Sequence, residues 1–301
     1  MKTSFWIGLL AIAISIQQSS FAQAGLLSAL VNGAGGQSLL TFNSATPGIG
    51  TPVSISGLLG GESLLGLDYR PQTSELYGLS SGSSIYTIDV ASGAATLVGT
   101  GFGGTLLSGS TFGFDFNPTI DRIRVVSNSD QNLVINPITG ASQLNATPVF
   151  YVAGDVNFEQ IPNVIHHAYD NNTFGLPRPL TSQLFAIDSN LNVLVTQANN
   201  LGELRTVGPL GIDVPNSGLG GFDVSADGTA FATFNDGIAS TSSLYTINLA
   251  TGAATNIGTI PFAVNGLAAA VPEPGSLSLL GLAIAGFVVR RRKLRMRKLL
   301  L

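Results

Sequence analysis

Three short runs recur along the chain. Gly66-Leu67-Asp68-Tyr69-Arg70-Pro71, Gly113-Phe114-Asp115-Phe116-Asn117-Pro118 and Gly221-Phe222-Asp223-Val224-Ser225-Ala226 each read Gly, apolar, Asp, apolar. His167-Ala168-Tyr169-Asp170-Asn171 and Gly266-Leu267-Ala268-Ala269 fall where further copies belong, with Ala in the Asp place. Counted at positions 68, 115, 168, 223 and 268, the copies lie 47, 53, 55 and 45 residues apart. A repeat of this size is one supersecondary unit that cannot bury its apolar face alone, so neighbouring copies must stack.

A second piece follows each of the first four copies. The run Ser84–Gly99 (SIYTIDVASGAATLVG) returns almost unchanged as Ser243–Gly258 (SLYTINLATGAATNIG), with weaker copies at Asn132–Gly140 and Gln183–Asn190. Each reads as an alternating strand, a turn bearing Gly or Asn, and a second strand: a β-hairpin. Ser38–Gly48 matches the same hairpin but has no inner strand before it. An inner strand near 264–270 has no hairpin after it. The two fragments complete each other. With no helical periodicity, this predicts an all-β fold, a β-propeller of about five four-stranded blades closed by pairing of the N- and C-terminal segments. A β-sandwich is the alternative, because regular short strands suit both.

The two ends read as addresses rather than fold. Residues 1–24 have the form of a secretory signal peptide: Lys2, an apolar stretch of 12 residues from Phe5 to Ile16, and the small-x-small pattern Ala22-Gln23-Ala24, with cleavage after Ala24. Residues 271–301 form a tripartite tail. Val271-Pro272-Glu273-Pro274 precedes an apolar segment, Leu277 to Val289, and a basic cluster follows: Arg290, Arg291, Arg292, Lys293, Arg295, Arg297 and Lys298. A helix over that segment would span roughly 20 Å at 1.5 Å per residue. That is short of the ~30 Å hydrocarbon core, a gap that snorkelling arginines and local thinning can close. The basic cluster would stay cytosolic and the body outside.

This tail resembles the PEP-CTERM sorting signal of Gram-negative bacteria. The resemblance implies recognition by an exosortase, a membrane cysteine protease that removes the tail, and release or transfer of the body to the exopolysaccharide matrix. The body, about residues 36–270, resembles the bacterial family catalogued as domain of unknown function 4394. The run Gly113–Asn128, continuing to Gln131-Asn132-Leu133, carries that likeness, with Leu67–Pro71, Ala168-Tyr169 and Leu244–Ile247. The family implies no established activity and no catalytic residues to carry over.

Little in the body points to catalysis. With no Cys, thiol nucleophiles and Cys-ligated metals are excluded, and no Gly-x-Ser-x-Gly elbow is present. His166 and His167 are the two imidazoles; adjacent on a strand, they point to opposite faces and do not easily share a metal. Gly99–Gly104 and Gly33–Gly36 lack the phosphate-loop spacing and read as turns. Asp223–Gly228 starts like a calcium loop, but Phe234 stands where the closing Glu belongs, so it too reads as a turn.

One constellation is positional. If the Asp-bearing runs are innermost strands, Asp68, Asp115 and Asp223 face the central channel as a binding set. Carboxylates around one axis raise each other's pKa unless a cation joins them, and calcium would suit. Each could instead hydrogen-bond backbone. No other cofactor is indicated. Arg122 and Arg124 share a strand face and form a second candidate binding pair, suited to an acidic sugar.

Sixteen of the 17 acidic residues but only five of the 13 basic ones, Arg70, Arg122, Arg124, Arg178 and Arg205, fall within residues 25–270, so the expected mature body carries −11. Nucleic acid is excluded as a partner by that charge, and the membrane is met only through the tail before processing. The expectation is an exported cell-surface or matrix protein, handled by exosortase and the secretion machinery. It would be non-enzymatic and bind exopolysaccharide or surface proteins. Thr147–Asn163 and Asp170–Thr181 depart from the repeat and are candidate binding loops at one end of the ring. The alternative is a polysaccharide hydrolase or lyase using the channel carboxylates.

Overall fold

The computed structural model describes residues 25–33 and 35–271. The first blade holds β1 (Leu26–Gly33), β2 (Gly36–Asn43) and β3 (Val53–Ser54). The second holds β4 (Leu64–Tyr69), β5 (Leu76–Ser80), β6 (Ser84–Ile88) and β7 (Ala95–Leu97). The third holds β8 (Phe112–Asn117), β9 (Arg122–Ser127), β10 (Asn132–Ile135) and β11 (Ser142–Asn145). The fourth is wider, with β12 (Phe150–Tyr151), β13 (Val164–Tyr169), β14 (Leu184–Asp188), β15 (Val193–Ala198) and β16 (Glu203–Pro209). The fifth holds β17 (Leu219–Val224), β18 (Ala230–Asn235), β19 (Ser242–Ile247) and β20 (Ala254–Ile260). The last strand, β21 (Val264–Ala269), returns to the first blade.

The result is a five-bladed β-propeller, and the sandwich alternative falls. In the first blade the order is β21-β1-β2-β3, so the chain's last strand supplies the innermost position of the blade its first strand opened. The register runs from Leu27 opposite Ala269 to Val31 opposite Val264, with a bulge between Leu30 and Val31. Strands β4, β8, β13, β17 and β21 stand side by side around the axis. The fourth blade departs from the four-stranded pattern, because β12 adds a parallel outer strand to β16.

Burial grades outward from the axis. The inner strands β8 and β13 are buried at every residue, whereas the outer strands β11 and β20 are mostly exposed. Inner strands are flanked on both faces by neighbouring blades, which is why they read as nearly continuous apolar runs. The core is divided among the five seams between blades. Leu30 and Leu39 meet Leu67, Tyr69 and Tyr86 at one seam; Tyr77 and Leu79 meet Phe114 and Phe116 at the next. Phe185 and Ile187 meet Phe222 and Phe234 further round, and Phe231 and Leu244 meet Leu27 and Phe42 at the closing seam.

The repeated hairpin owes its Gly to these seams. Gly93, at φ 70°, ends the turn that Asp89 opens, and a Cβ there would lie 2.2 Å from the Ser54 carbonyl oxygen of the preceding blade. Gly140 and Gly252 meet the Val98 and Gly208 carbonyls in the same way. A side chain would strain the turn and push the blades apart.

Candidate functional site

Equal positions in equal repeats come to equal heights on the axis. Asp68, Asp115 and Asp223 each stand two residues after the recurring Gly of a six-residue inner strand. One carboxylate oxygen from each lies within 4.8 Å of the other two. All three are buried, at 2%, 1% and 2% exposure. Asp68 Oδ2 accepts the Phe116 N–H of the next blade at 2.7 Å, and Asp115 Oδ1 accepts the Tyr169 N–H of the blade after that at 3.0 Å. Asp223 accepts two, from its own neighbour Val224 at 2.6 Å and from Ala269 at 2.6 Å. Most of these bonds tie one blade to the next, rather than an Asp to its own blade.

The fourth blade has Ala168 in the Asp place, and there a different residue makes the tie. Asn172, just after β13, donates from Nδ2 to the Tyr169 carbonyl at 3.0 Å and to the Val224 carbonyl of the fifth blade at 2.7 Å. Its Oδ1 is buried without a hydrogen-bond partner, as is Asp115 Oδ2. Burial, and then repulsion from the neighbouring carboxylates, hold Asp68 and Asp115 well above the ordinary carboxylate value. Burial pushes Asp223 up to about 7.

Above the aspartates the axis is closed. Gly66, Gly113, Gly221 and Gly266 occupy the position two residues before the Asp or Ala, with His166 in the fifth strand. A Cβ on Gly113 would lie 2.3 Å from His167 Cδ2, and one on Gly221 would lie 2.3 Å from the Leu267 amide nitrogen. Only glycine lets the strands approach so closely. The cavity left among these residues measures about 20 Å³, room for one water. His166 and His167 both line it, and burial lowers each imidazole to about 3, so both are neutral at physiological pH.

At the other end, where the inner strands begin, the ring opens into a mouth of about 250 Å³. Its lining is uncharged and about half polar: Asn32, Ser63, Ser110, Thr111, Ser217 and Asn265 are interleaved with Leu64, Leu65, Phe112 and Leu219. Gln37 shapes the rim by gripping the Leu64 backbone, donating to its carbonyl at 2.8 Å and accepting its N–H at 2.7 Å. Thr111 Oγ1 and Asn265 Oδ1 are buried without a protein partner. Sequence reasoning missed this mouth. Its signal is faint: Ser63, Ser110, Thr111 and Ser217 all stand four to six residues ahead of the recurring Asp.

The two arginines are not brought together with the aspartates. Arg124 is buried and spent on neutral oxygens: Tyr169 Oη at 3.0 Å, Asn132 Oδ1, and Asn200 Oδ1 at 2.7 Å. Arg122 turns outward to Gln143 Oε1 and its own neighbour's carbonyl, Asp121 O. The ion pair sequence reasoning did not foresee is Arg70 with Asp121, a two-pronged contact at 2.8 and 2.6 Å that joins the second and third blades.

The two candidate loops lie at opposite ends of the ring. Thr147–Asn163 leads into β13 at the mouth end and is zipped to the fourth blade. It contains β12, and Asp155 accepts both the N–H and the hydroxyl of Thr206. Asp170–Thr181 leaves β13 at the aspartate end and supplies Asn172. Of the sorting residues, Val271 is described: it is buried in the seam with Leu30 and Tyr69, and its carbonyl accepts the Ser74 hydroxyl at 2.7 Å. The cleavage residues Ala22 and Ala24, together with Pro272, Glu273, Pro274, Arg290, Arg291 and Arg292, lie outside the described residues.

A family model described as "Domain of unknown function (DUF4394)" matches residues 38–268, and one described as "PEP-CTERM protein-sorting motif" matches residues 270–293. No curated protein matches. Among solved structures, a chain of the Kuenenia stuttgartiensis hydrazine synthase is similar at 13% identity and a TM-score of 0.38, over 69% of this chain and 53% of that one. The chain thus spans about half the length of that relative. A chain of a nidogen/laminin complex is similar at 12% identity and a TM-score of 0.46, over 83% of this chain and 100% of that one.

Proposed function

This chain belongs to the DUF4394 family and carries a PEP-CTERM sorting motif, which makes it an exported, exosortase-targeted β-propeller, and from that premise we propose that its body is a non-enzymatic glycan-binding protein of the cell surface or matrix. The observation that carries this reading is the uncharged mouth. Amide and hydroxyl groups beside an aromatic ring are the chemistry that meets a neutral sugar. Asn32 and Ser110 are exposed there, and Ser63, Ser217 and Asn265 are partly exposed. At about 250 Å³ the mouth is smaller than a pocket that encloses a ligand, about 300 Å³ or more. It suits the end or edge of a longer chain.

Orientation supports the same face. The described chain ends at Val271, beyond the last residue of β21, at the aspartate end. While the tail anchors the protein, the aspartate end is turned to the membrane and the mouth away from it. The net charge of −11 over residues 25–270 favours neutral polysaccharide over acidic.

A hydrolase or lyase using Asp68, Asp115 and Asp223 is the competing reading, and an Asp223 pKa of about 7 is what favours it. Against it, no carboxylate is more than 2% exposed, and most of their oxygens already accept backbone N–H groups. A glycan array paired with a polysaccharide hydrolysis screen separates the two. Binding without turnover, weakened at least tenfold by Asn265→Ala with Ser63→Ala, is the expected result. Turnover that disappears in Asp68→Asn with Asp115→Asn would replace the binding reading with the enzymatic one.

A further inference from the structure

We propose that Asp68, Asp115 and Asp223, with the amide oxygen of Asn172, form a site for one hard divalent cation, calcium by its chemistry, at the aspartate end of the ring axis. The site lies at the opposite end of the ring from the mouth and does not depend on glycan binding there.

Geometry selects the ion. Calcium takes oxygen ligands at about 2.3–2.6 Å, so oxygens on one sphere stand at most about 5 Å apart. The three carboxylate oxygens here lie within 4.8 Å of one another, inside that span. Magnesium demands a near-ideal octahedron at about 2.0–2.1 Å and gives up its water reluctantly. Carboxylates fixed on three separate inner strands by backbone bonds suit the looser geometry of calcium better. The donor set is all oxygen, which does not suit soft metals.

Two buried side-chain oxygens lack hydrogen-bond partners. Asp115 Oδ2 is buried and unbonded, on a residue 1% exposed. Asn172 belongs to a different element and is 3% exposed, yet its Oδ1 has no partner either. Its Nδ2 grips the carbonyls of Tyr169 and Val224, and the N–H groups of those same two residues go to Asp115 and Asp223. In an extended strand a residue's N–H and C=O leave on the same side. The amide therefore shares the inner edges of β13 and β17 with both carboxylates.

No side-chain cation of the described residues neutralises the group. Residues 25–271 contain no Lys. Arg70 is engaged by Asp121, and Arg124 by Tyr169, Asn132 and Asn200. Carboxylates held this close repel one another when ionised, and a divalent cation is the counter-charge that also fills the two unpartnered oxygens. Such an ion would pin the second, third and fifth blades across the axis.

The test uses the full chain, freed of metal with chelator, then titrated with calcium chloride and separately with magnesium and terbium chlorides. Expected are one calcium per chain, a rise in melting temperature of at least about 5 °C at saturation, and a tenfold or greater preference over magnesium. Terbium luminescence lifetimes in H2O and D2O should report no more than about three bound waters, a buried site. Asp115→Asn and, separately, Asn172→Ala should weaken calcium binding at least tenfold. Where Asp115→Asn fails to fold, the terbium hydration number and Asn172→Ala decide. No binding, binding unchanged in the variants, or a terbium ion that keeps most of its water shell each overturns the proposal.

Discussion

His166 and His167 sit side by side on β13, and each ring is walled off from water. Burial lowers both imidazoles to about 3, whereas the unfolded chain titrates near 6.5. Below 6.5 the unfolded state takes up protons that the folded state refuses. The contribution of these two residues is therefore complete above pH 6.5 and is lost as pH falls toward 3. They are the only histidines in the chain, so an NMR titration has two ring signals to follow. Neither should move between pH 8 and 5; a ring that titrates near 6.5 would contradict the closed axis. Gly221 gives a second check. A Cβ there would meet the Leu267 backbone at 2.3 Å, so Gly221→Ala should cost about 3 kcal/mol in urea unfolding. Gly35→Ala, with nothing within 4 Å, should change stability by less than about 0.5 kcal/mol. At this scale the repeat made part of the site readable. Equal register in Asp68, Asp115 and Asp223 predicts convergence at one axial height. Asn172 was not readable, because it compensates for the missing Asp from a loop outside the repeat.

At the scale of elements, seams rather than strands carry the specific polar contacts. Arg70 and Asp121 close turns of adjacent blades around a buried pair, with Arg178 a third member at 3.5 Å. Asp121 stands at φ 54°, a conformation that Asn also tolerates, so Asp121→Asn tests the charge without straining the turn. It leaves Arg70 buried and unpaired, and about 3 kcal/mol should be lost in urea unfolding, with the fold retained by circular dichroism. A loss under about 0.5 kcal/mol would mean the pair is incidental. Hairpins were the most legible elements, since Ser84–Gly99 and Ser243–Gly258 state strand, turn and strand in nearly the same letters. Two strands were not legible. β1 lies in the apolar stretch following the signal segment and announces itself only through its partners β2 and β21. β12 is two residues long and exists because Phe150 and Tyr151 find the free edge of β16. The pairing of Arg70 with a residue 51 positions away is a property of the ring, invisible to local spacing.

The whole molecule is a ring shut by its last strand, and its sorting motif begins where that closure ends. Val271 belongs to both: it is buried beside Tyr69, and the sorting motif spans residues 270–293. Deleting Pro272–Pro274 should therefore abolish tail processing while leaving the melting temperature of the body unchanged. Deleting Val271 as well should lower it by several degrees. Tail removal that continues without Pro272–Pro274 would refute the sorting assignment. Circular closure was legible because two incomplete fragments summed to one blade. The mouth was not, because its residues come from the first, second, third and fifth blades and share no motif. The most direct test of the binding face is hydrogen–deuterium exchange on the full chain with and without the neutral oligosaccharide that binds most strongly on the array. Glycan binding at the mouth predicts new protection at residues 63–65, 110–112 and 217–219. Protection confined to residues 170–181 at the opposite end of the ring would contradict it.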